Sequence, residues 1–297
     1  MFGSHYLYFL SHNLKSRFLG KREPLLAGFK VTHRCNLRCR ACPFWRKTEG
    51  DIPYGKAVDV LHSLHQMGVR LLIFEGGEPF LWRDGERTLE DLIAEAKKLF
   101  FCVGVTTNGT LPLETNADTV WVSIDGLRES HNYNRGPTFD RIIENIRRST
   151  HPRLLANITI NCINVREIPE LVRFLSDLVK GITIQFYYPY PGTEDLWVPW
   201  DERRWVLDEL IRLKQKGYPL FDSYETLRAL KDNRWKCHPW LIASADPDGT
   251  ITRGCYLQNR AEIACEKCGF AAHTEISLAY DWHLGPINTG RKTFGFR

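Results

Sequence analysis

Six apolar, β-branched runs recur along this chain, with helical stretches set between them. The runs cover residues 25–32, 71–75, 102–107, 120–124, 155–163 and 182–186. Apolar residues at helical spacing mark 54–67, 88–99, 138–148 and 168–179. Strands that alternate with helices join through right-handed crossovers into a parallel sheet. The runs are apolar along their length rather than at every second residue, so both faces of the sheet are expected to be covered. The predicted fold class is α/β, a parallel and barrel-like sheet with helices outside. Parallel barrels gather functional residues at the C-terminal ends of their strands, which directs attention to the residues just past each run.

After the first run comes Cys35-Asn36-Leu37-Arg38-Cys39-Arg40-Ala41-Cys42, a C-x3-C-x2-C spacing. Three thiolates can hold three irons of a [4Fe–4S] cube and leave the fourth iron open. Structural zinc is the rival, but zinc sites usually close with four ligands. No fourth Cys or His follows nearby, and His33 precedes the set by only two residues. The second run ends in Gly76-Gly77-Glu78-Pro79, the third in Thr106-Thr107-Asn108-Gly109 and the fourth in Ser123-Ile124-Asp125-Gly126. Asn161 and Asn164 close the fifth, and Gln185 sits in the sixth.

The cysteine spacing and the Gly-Gly-Glu-Pro segment, in this order and each behind a strand, resemble the radical S-adenosylmethionine (radical SAM) enzymes. The resemblance covers roughly residues 25–190 and implies a partial (β/α)6 TIM-like barrel. It implies that Cys35, Cys39 and Cys42 ligate a catalytic [4Fe–4S] cluster whose open iron binds S-adenosyl-L-methionine. In that family one electron, from a donor such as ferredoxin or flavodoxin, cleaves the sulfonium to a 5′-deoxyadenosyl radical that abstracts hydrogen. The cofactors supply this chemistry and the protein positions and shields them. Gly76, Gly77, Glu78 and Pro79 would line the methionyl amino group. Asn108, Ser123 and Asp125 match segments beside the ribose and carboxylate, and Arg135 could grip the carboxylate through its planar fork. Asn-Gly and Asp-Gly are also common turn dipeptides. Ala41 departs from the family pattern, where an aromatic residue often packs near adenine; Phe44 or Trp45 would have to replace it.

Nine cysteines are present, and no secretory signal is evident, so a disulfide framework is not expected. Cys102 and Cys162 lie in apolar runs and read as small core residues. Cys237, Cys255, Cys265 and Cys268 form a second set. Between its first two members, Asp248-Gly249 marks a hairpin turn. Cysteines flanking a hairpin, followed by C-x2-C, resemble the auxiliary segments called twitch and SPASM domains. Four thiolates could hold an auxiliary [4Fe–4S] cluster, or structural zinc. A fully ligated cluster would relay an electron.

The expected organisation is an N-terminal amphipathic helix or cap over 1–24, a core over 25–190, a helical connection over 191–236, and an auxiliary cluster segment with its tail over 237–297. Leu7, Leu10, Leu14 and Phe18 recur at helical spacing among basic residues. Such a helix either caps the barrel or lies on an anionic membrane surface. Tyr187, Tyr188, Tyr190, Trp197 and Trp200 make the exit from the sixth strand aromatic, which suits an apolar substrate. His273 or His283 could serve as ligand or proton donor. The polar end, 288–297, reads as loosely ordered.

A net charge of +5 over 297 residues does not demand nucleic acid, and no RNA-binding motif is seen. No apolar run reaches the length of a membrane span. The sequence therefore points to a cytoplasmic enzyme, peripheral to the inner membrane face, acting on a hydrophobic isoprenoid or membrane-lipid substrate with C–C bond formation. A peptide-modifying maturase and a non-catalytic metal-binding protein are the alternatives.

Overall fold

The structure, a computed structural model, describes residues 4–296. Helix α1 (Ser4–Phe18) precedes six strands that coincide with the six runs: β1 (Leu26–Thr32), β2 (Leu71–Gly76), β3 (Cys102–Thr107), β4 (Thr119–Ser123), β5 (Leu154–Ile160) and β6 (Gly181–Phe186). They lie in chain order, each parallel to the next. Helices α2 (Tyr54–Gln66), α3 (Leu89–Ala96), α4 (Arg128–Arg135), α5 (Phe139–Arg148) and α6 (Ile168–Leu175) form the crossovers. Helix α4 was not expected, because its residues are polar and show no apolar stripe.

Side chains alternate across each strand. On one face Ala27, Phe29 and Phe74 join the main apolar core with Leu61 and Leu64 of α2. Burying an aliphatic or aromatic side chain contributes about 1.5–3 kcal/mol. A short helix such as α5 is therefore held by Phe139, Ile142, Ile143 and Ile146, all buried, more than by its propensity. On the other face Gly28, Ile73, Thr106, Trp121, Asn157 and Thr183 line an internal chamber.

Beyond β6 come α7 (Trp200–Gln215) and α8 (Tyr224–Ala229). Between them residues 219–222 run along the free edge of β6: Ile182 N–H donates to Pro219 O and Phe221 N–H to Ile182 O, both at 2.8 Å. The region expected to be an appendage begins by extending the core sheet. Strand β7 (Ile242–Ala245) pairs parallel with β1 and antiparallel with β8 (Ile251–Arg253). The hairpin turns where expected, with Asp246 N–H donating to Thr250 O at 3.1 Å.

Helices α9 (Ala271–Tyr280) and α10 (Leu284–Phe294) line the chamber near the N-terminal strand ends. The end of the described chain is thus packed, not loose. Thr119 Oγ1 donates to Thr293 O at 3.0 Å, and Phe294 meets Trp121 edge-on at 6.1 Å. Its last apolar residues, Phe294 and Phe296, form no helical stripe and escape notice in a polar stretch.

Helix α1 caps this floor, but not with the expected face. Phe9 packs with Leu26, Leu71 and Phe296, while His12, Asn13 and Ser16 are buried. Asn13 Nδ2 donates to Tyr280 O at 2.8 Å, and Ser16 Oγ to Tyr280 Oη at 3.0 Å. Leu7, Leu10, Leu14 and Phe18 are exposed. Cys162, expected in the core, is exposed too. It lies beyond Ile160, the last residue of β5, and its Sγ donates to Asp195 O at 2.9 Å.

Candidate active site

The loop after β1 has little regular structure and is pinned by its neighbours. Leu37 N–H points at Cys35 Sγ at 3.4 Å, and Cys42 N–H donates to Cys39 O at 3.2 Å. From α4, Asn134 accepts from Arg40 N–H at its carbonyl (2.8 Å) and from Ala41 N–H at Oδ1 (3.1 Å). From the end of β3, Asn108 Nδ2 donates to Asn36 Oδ1 at 2.8 Å and approaches Cys35 Sγ at 3.8 Å. Cys35, Cys39 and Cys42 all line the chamber. Burial pushes the Cys39 thiol up to about 11; Arg135 opposes the shift, and Cys42 and Cys35 add to it. Burial also raises Cys35.

The Gly-Gly-Glu-Pro segment crosses this loop backbone to backbone. Gly77 N–H donates to Thr32 O at 2.8 Å and Glu78 N–H to Arg34 O at 2.9 Å. A Cβ on Gly77 would lie 2.3 Å from Arg34 O, and one on Gly76 2.3 Å from Thr32 O. Gly76 and Gly77 face the chamber. Glu78 is fully buried and serves as a bracket. It accepts from Thr107 Oγ1 (2.8 Å), Asn108 N–H (2.7 Å) and Phe80 N–H (3.2 Å). Burial pushes its carboxyl up to about 7. Pro79, also buried, opens the 3-10 turn Pro79–Leu81.

Ser123 ends β4 at the chamber wall. Asp125 and Arg135 also reach that wall, but they spend their charges on each other. Arg135 Nε and one terminal nitrogen donate to the two Asp125 oxygens at 2.7 and 3.1 Å. Asn134 Nδ2 donates to Asp125 as well, at 2.6 Å. The Asp125–Arg135 pair therefore ties β4 to the helix that holds the cysteine loop. Phe44 stacks on His33 and meets Tyr190 and Tyr256 edge-on. Trp45 Nε1 donates to Cys39 O at 3.0 Å.

The chamber has a volume of about 680 Å³. Its middle carries uncharged polar groups, among them Thr106, Asn157, Thr159, Thr183 and Gln185. Its floor is largely apolar, with Leu26, Leu71, Trp121, Ile276 and Phe294, and the lining also includes Asp222, Glu275 and Arg291. Near the top, Tyr187, Tyr188, Tyr190, Tyr256 and Phe270 supply an aromatic wall.

Charged residues beside this wall went unnoticed in the sequence. Lys30 is buried, donates to Glu75 Oε1 at 2.6 Å, and sits 4.4 Å from the Tyr256 ring centre. Arg260 makes two 2.9 Å bonds to Asp246. A lysine inside an otherwise apolar run was the available signal.

Cys237, Cys255, Cys265 and Cys268 come within electrostatic reach of one another. Burial pushes the Cys237 thiol up to about 12, and the other three thiols add to the shift. Buried Arg203 and half-buried Asn233 hold their loop: Arg203 and Asn233 Nδ2 donate to Cys268 O at 2.8 and 2.7 Å, and Asn233 Nδ2 to Glu266 O at 2.9 Å. Tyr188 joins this loop to the barrel, accepting from Ala264 N–H at 2.9 Å and donating to Glu262 O. Among the described residues, no group of three or more His, Cys, Asp or Glu is gathered as a single-ion site. His273 lines the chamber and burial lowers its pKa to about 4, while His283 precedes α10.

The family profile of the Radical SAM superfamily matches residues 29–175, the stretch that holds both the cysteine loop and the Gly-Gly-Glu-Pro crossing. The chain belongs to the radical SAM superfamily. Among its relatives, Fe-coproporphyrin III synthase of Methanosarcina barkeri is 29% identical over 70% of this chain and 56% of its own length. The tungsten-containing aldehyde ferredoxin oxidoreductase cofactor-modifying protein of Pyrococcus furiosus is also 29% identical, over 50% of this chain and 47% of its own. The chain thus spans about half the length of these curated relatives. The crystal structure of Streptococcus suis SuiB bound to S-adenosylmethionine shares the fold at a TM-score of 0.67 and 16% identity, covering 96% of this chain and 70% of SuiB. SuiB has also been solved with its precursor peptide SuiA.

Proposed function

We propose that this chain removes hydrogen from an unactivated carbon of a hydrophobic substrate, an isoprenoid or membrane-lipid chain, and so forms a C–C bond. The observation that carries the reading is the chamber itself, which leads from the cysteine loop down to an apolar floor. When bound, the cluster and S-adenosylmethionine supply a hydrogen-abstracting radical. The residues fit that pair. Cys35, Cys39 and Cys42 are three soft donors on one loop, and buried thiols release protons as metal binds. Gly76 and Gly77 present bare backbone toward the chamber where a Cβ would collide with the loop. Asn108 orients the loop, Ser123 offers a hydroxyl, and Asp125 with Arg135 fixes the wall. The apolar floor holds a chain with no charged anchor, and that orientation is a large part of catalysis.

Joining two carbons removes one hydrogen atom from each. Two S-adenosylmethionines and two electrons are consumed per bond, giving two methionines and two 5′-deoxyadenosines, and the product is lighter by two hydrogens. The electrons come from a ferredoxin or flavodoxin. Cys237, Cys255, Cys265 and Cys268 form the auxiliary set, and a membrane-peripheral position belongs to the same reading.

A second reading is peptide modification, favoured by the uncharged polar band, whose hydroxyls and amides match peptide groups. The relative named Fe-coproporphyrin III synthase adds an iron tetrapyrrole, with carboxylates on its rim, to the substrates worth assaying. The test is mass spectrometry of lipids from an ether-lipid-making host with and without this gene. A gene-dependent species lighter by two hydrogens supports the lipid reading. An unchanged lipid profile beside active cleavage of S-adenosylmethionine overturns it in favour of the peptide. With the purified protein, Cys35→Ala should abolish cleavage. Cys265→Ala should spare cleavage and block product; normal product from it would remove the auxiliary role.

A further inference from the structure

Helix α1 carries an apolar stripe that nothing in the described chain covers. Leu7, Leu10, Leu14 and Phe18 succeed one another at three- and four-residue steps, which places them on one face. They are 62%, 44%, 42% and 78% exposed, and Leu19 beyond the helix is 68% exposed. The opposite face already holds the barrel through Phe9, Asn13 and Ser16. A soluble helix ordinarily turns its apolar stripe inward; this one turns it out.

Charge says what the stripe fits. Residues 1–22 contain Lys15, Arg17, Lys21 and Arg22 and no Asp or Glu; the first acidic residue is Glu23. Lys15, Lys21 and Arg22 are exposed beside the stripe, while Arg17 is drawn aside to Tyr280 O and Asp281. Exposed apolar residues flanked by cations that pair with no described residue suit the surface of an anionic bilayer. A second copy is disfavoured, because a two-fold interface would set this basic patch against itself. The α9–α10 corner, bonded to α1 through Asn13 and Arg17, adds exposed Trp282 and Leu284 at the same end. Leu10 also borders the chamber, so the outer stripe and the chamber floor share a wall.

We propose that the outer face of α1 docks this protein on an anionic membrane surface, with Leu7, Leu10, Leu14 and Phe18 in the acyl boundary and Lys15, Lys21 and Arg22 among the headgroups. This deepens the membrane-peripheral part of the function proposed above. It stands apart from the radical chemistry, so vesicle binding and S-adenosylmethionine cleavage can fail separately.

The test is co-sedimentation of the anaerobically reconstituted full chain with phosphatidylcholine vesicles, with and without one-third phosphatidylglycerol. Binding is expected to the anionic vesicles and to weaken as salt rises. Lys15→Gln and Lys21→Gln should each weaken it roughly fivefold, the equivalent of about 1 kcal/mol per charge near the surface. Leu14→Ser with Phe18→Ser should weaken it more than tenfold while S-adenosylmethionine cleavage is kept, since these side chains are already in water. Wild-type protein that stays in the supernatant with anionic vesicles overturns the proposal. So do stripe variants that bind as well as wild type, and so does a wild-type dimer that the stripe variants abolish, which would assign the face to a second copy.

Discussion

Gly77 shows how much a missing side chain can decide. Its amide bonds to Thr32 O, and a Cβ would sit 2.3 Å from Arg34 O and 2.5 Å from His33 O. Those carbonyls begin the loop that presents Cys35, so the loop and the crossing strand end can meet only if one of them is bare. Gly77→Ala should therefore push the loop outward, costing about 1–3 kcal/mol as overpacking does, and weaken S-adenosylmethionine binding. Denaturant melts and equilibrium dialysis of the reconstituted protein check both; unchanged affinity would show that the loop tolerates the shift. At this scale the sequence was most legible where a residue type has one physical use. Clustered thiols and paired glycines announce themselves by spacing. For Glu78, Asp125 and Arg135 the motifs name the residue but not its protein partners, because a carboxylate or guanidinium in a motif looks the same whether it faces a ligand, braces the backbone or does both. Here Glu78 accepts three protein hydrogen bonds, and Asp125 and Arg135 satisfy each other.

Elements were legible when their apolar residues pack at a regular period. The six core strands coincide with the six runs, and α2, α3, α5 and α6 with the four helical stretches. Periodicity was a poorer guide where polar bonds do the holding. Helix α4 has no stripe, α1 is attached by His12, Asn13 and Ser16, and the end of the chain is pinned through Thr119 and Trp121. The second cysteine loop is a similar case. Arg203, on α7, is buried and bonds Leu230 O at 2.7 Å, Asn233 Oδ1 at 2.8 Å and Cys268 O at 2.8 Å. One side chain thus clamps the end of α8 to the loop carrying Cys265 and Cys268. Arg203→Met keeps the bulk but strands three acceptors, and a lost bond to a charged group costs about 1.5–3 kcal/mol. The expected outcome is a lower melting temperature and less iron per chain after reconstitution, with the fraction bound by Cys35, Cys39 and Cys42 retained. Full iron loading in that variant would show that the clamp is dispensable to the second set.

The whole molecule closes around buried acids that lie far apart in sequence, and this gives it a pH dependence. Asp222, at the end of the segment bordering β6, accepts from Ile184 N–H at 2.9 Å. Glu275, on α9, accepts from Ser223 N–H, and its buried carboxyl has the Ser223 and Thr226 hydroxyls beside it. Both line the chamber. Burial pushes Asp222 up to about 7, with Lys214 opposing, and pushes Glu275 up to about 8, with Asp222 adding to it. Both carboxyls ionise more readily in the unfolded chain, where their pKa values are near 3.8 and 4.5. The folded state therefore holds protons that the unfolded state releases. This stability is fully present below the unfolded values and is lost as pH rises through 7 and 8. Each tenfold change in proton affinity between the two states corresponds to roughly 1.4 kcal/mol, so the pair costs the fold several kcal/mol, in order of magnitude, once both are ionised. Melting temperature at equal iron loading should fall between pH 6 and pH 8.5. Glu275→Gln keeps the acceptor for Ser223 and removes one titration, so its melting temperature should fall less over the same interval. Equal slopes for the two proteins would place the charge of Glu275 outside the energetics of the seam, and a wild type more stable at pH 8.5 would mean that the acids are solvated in the folded chain.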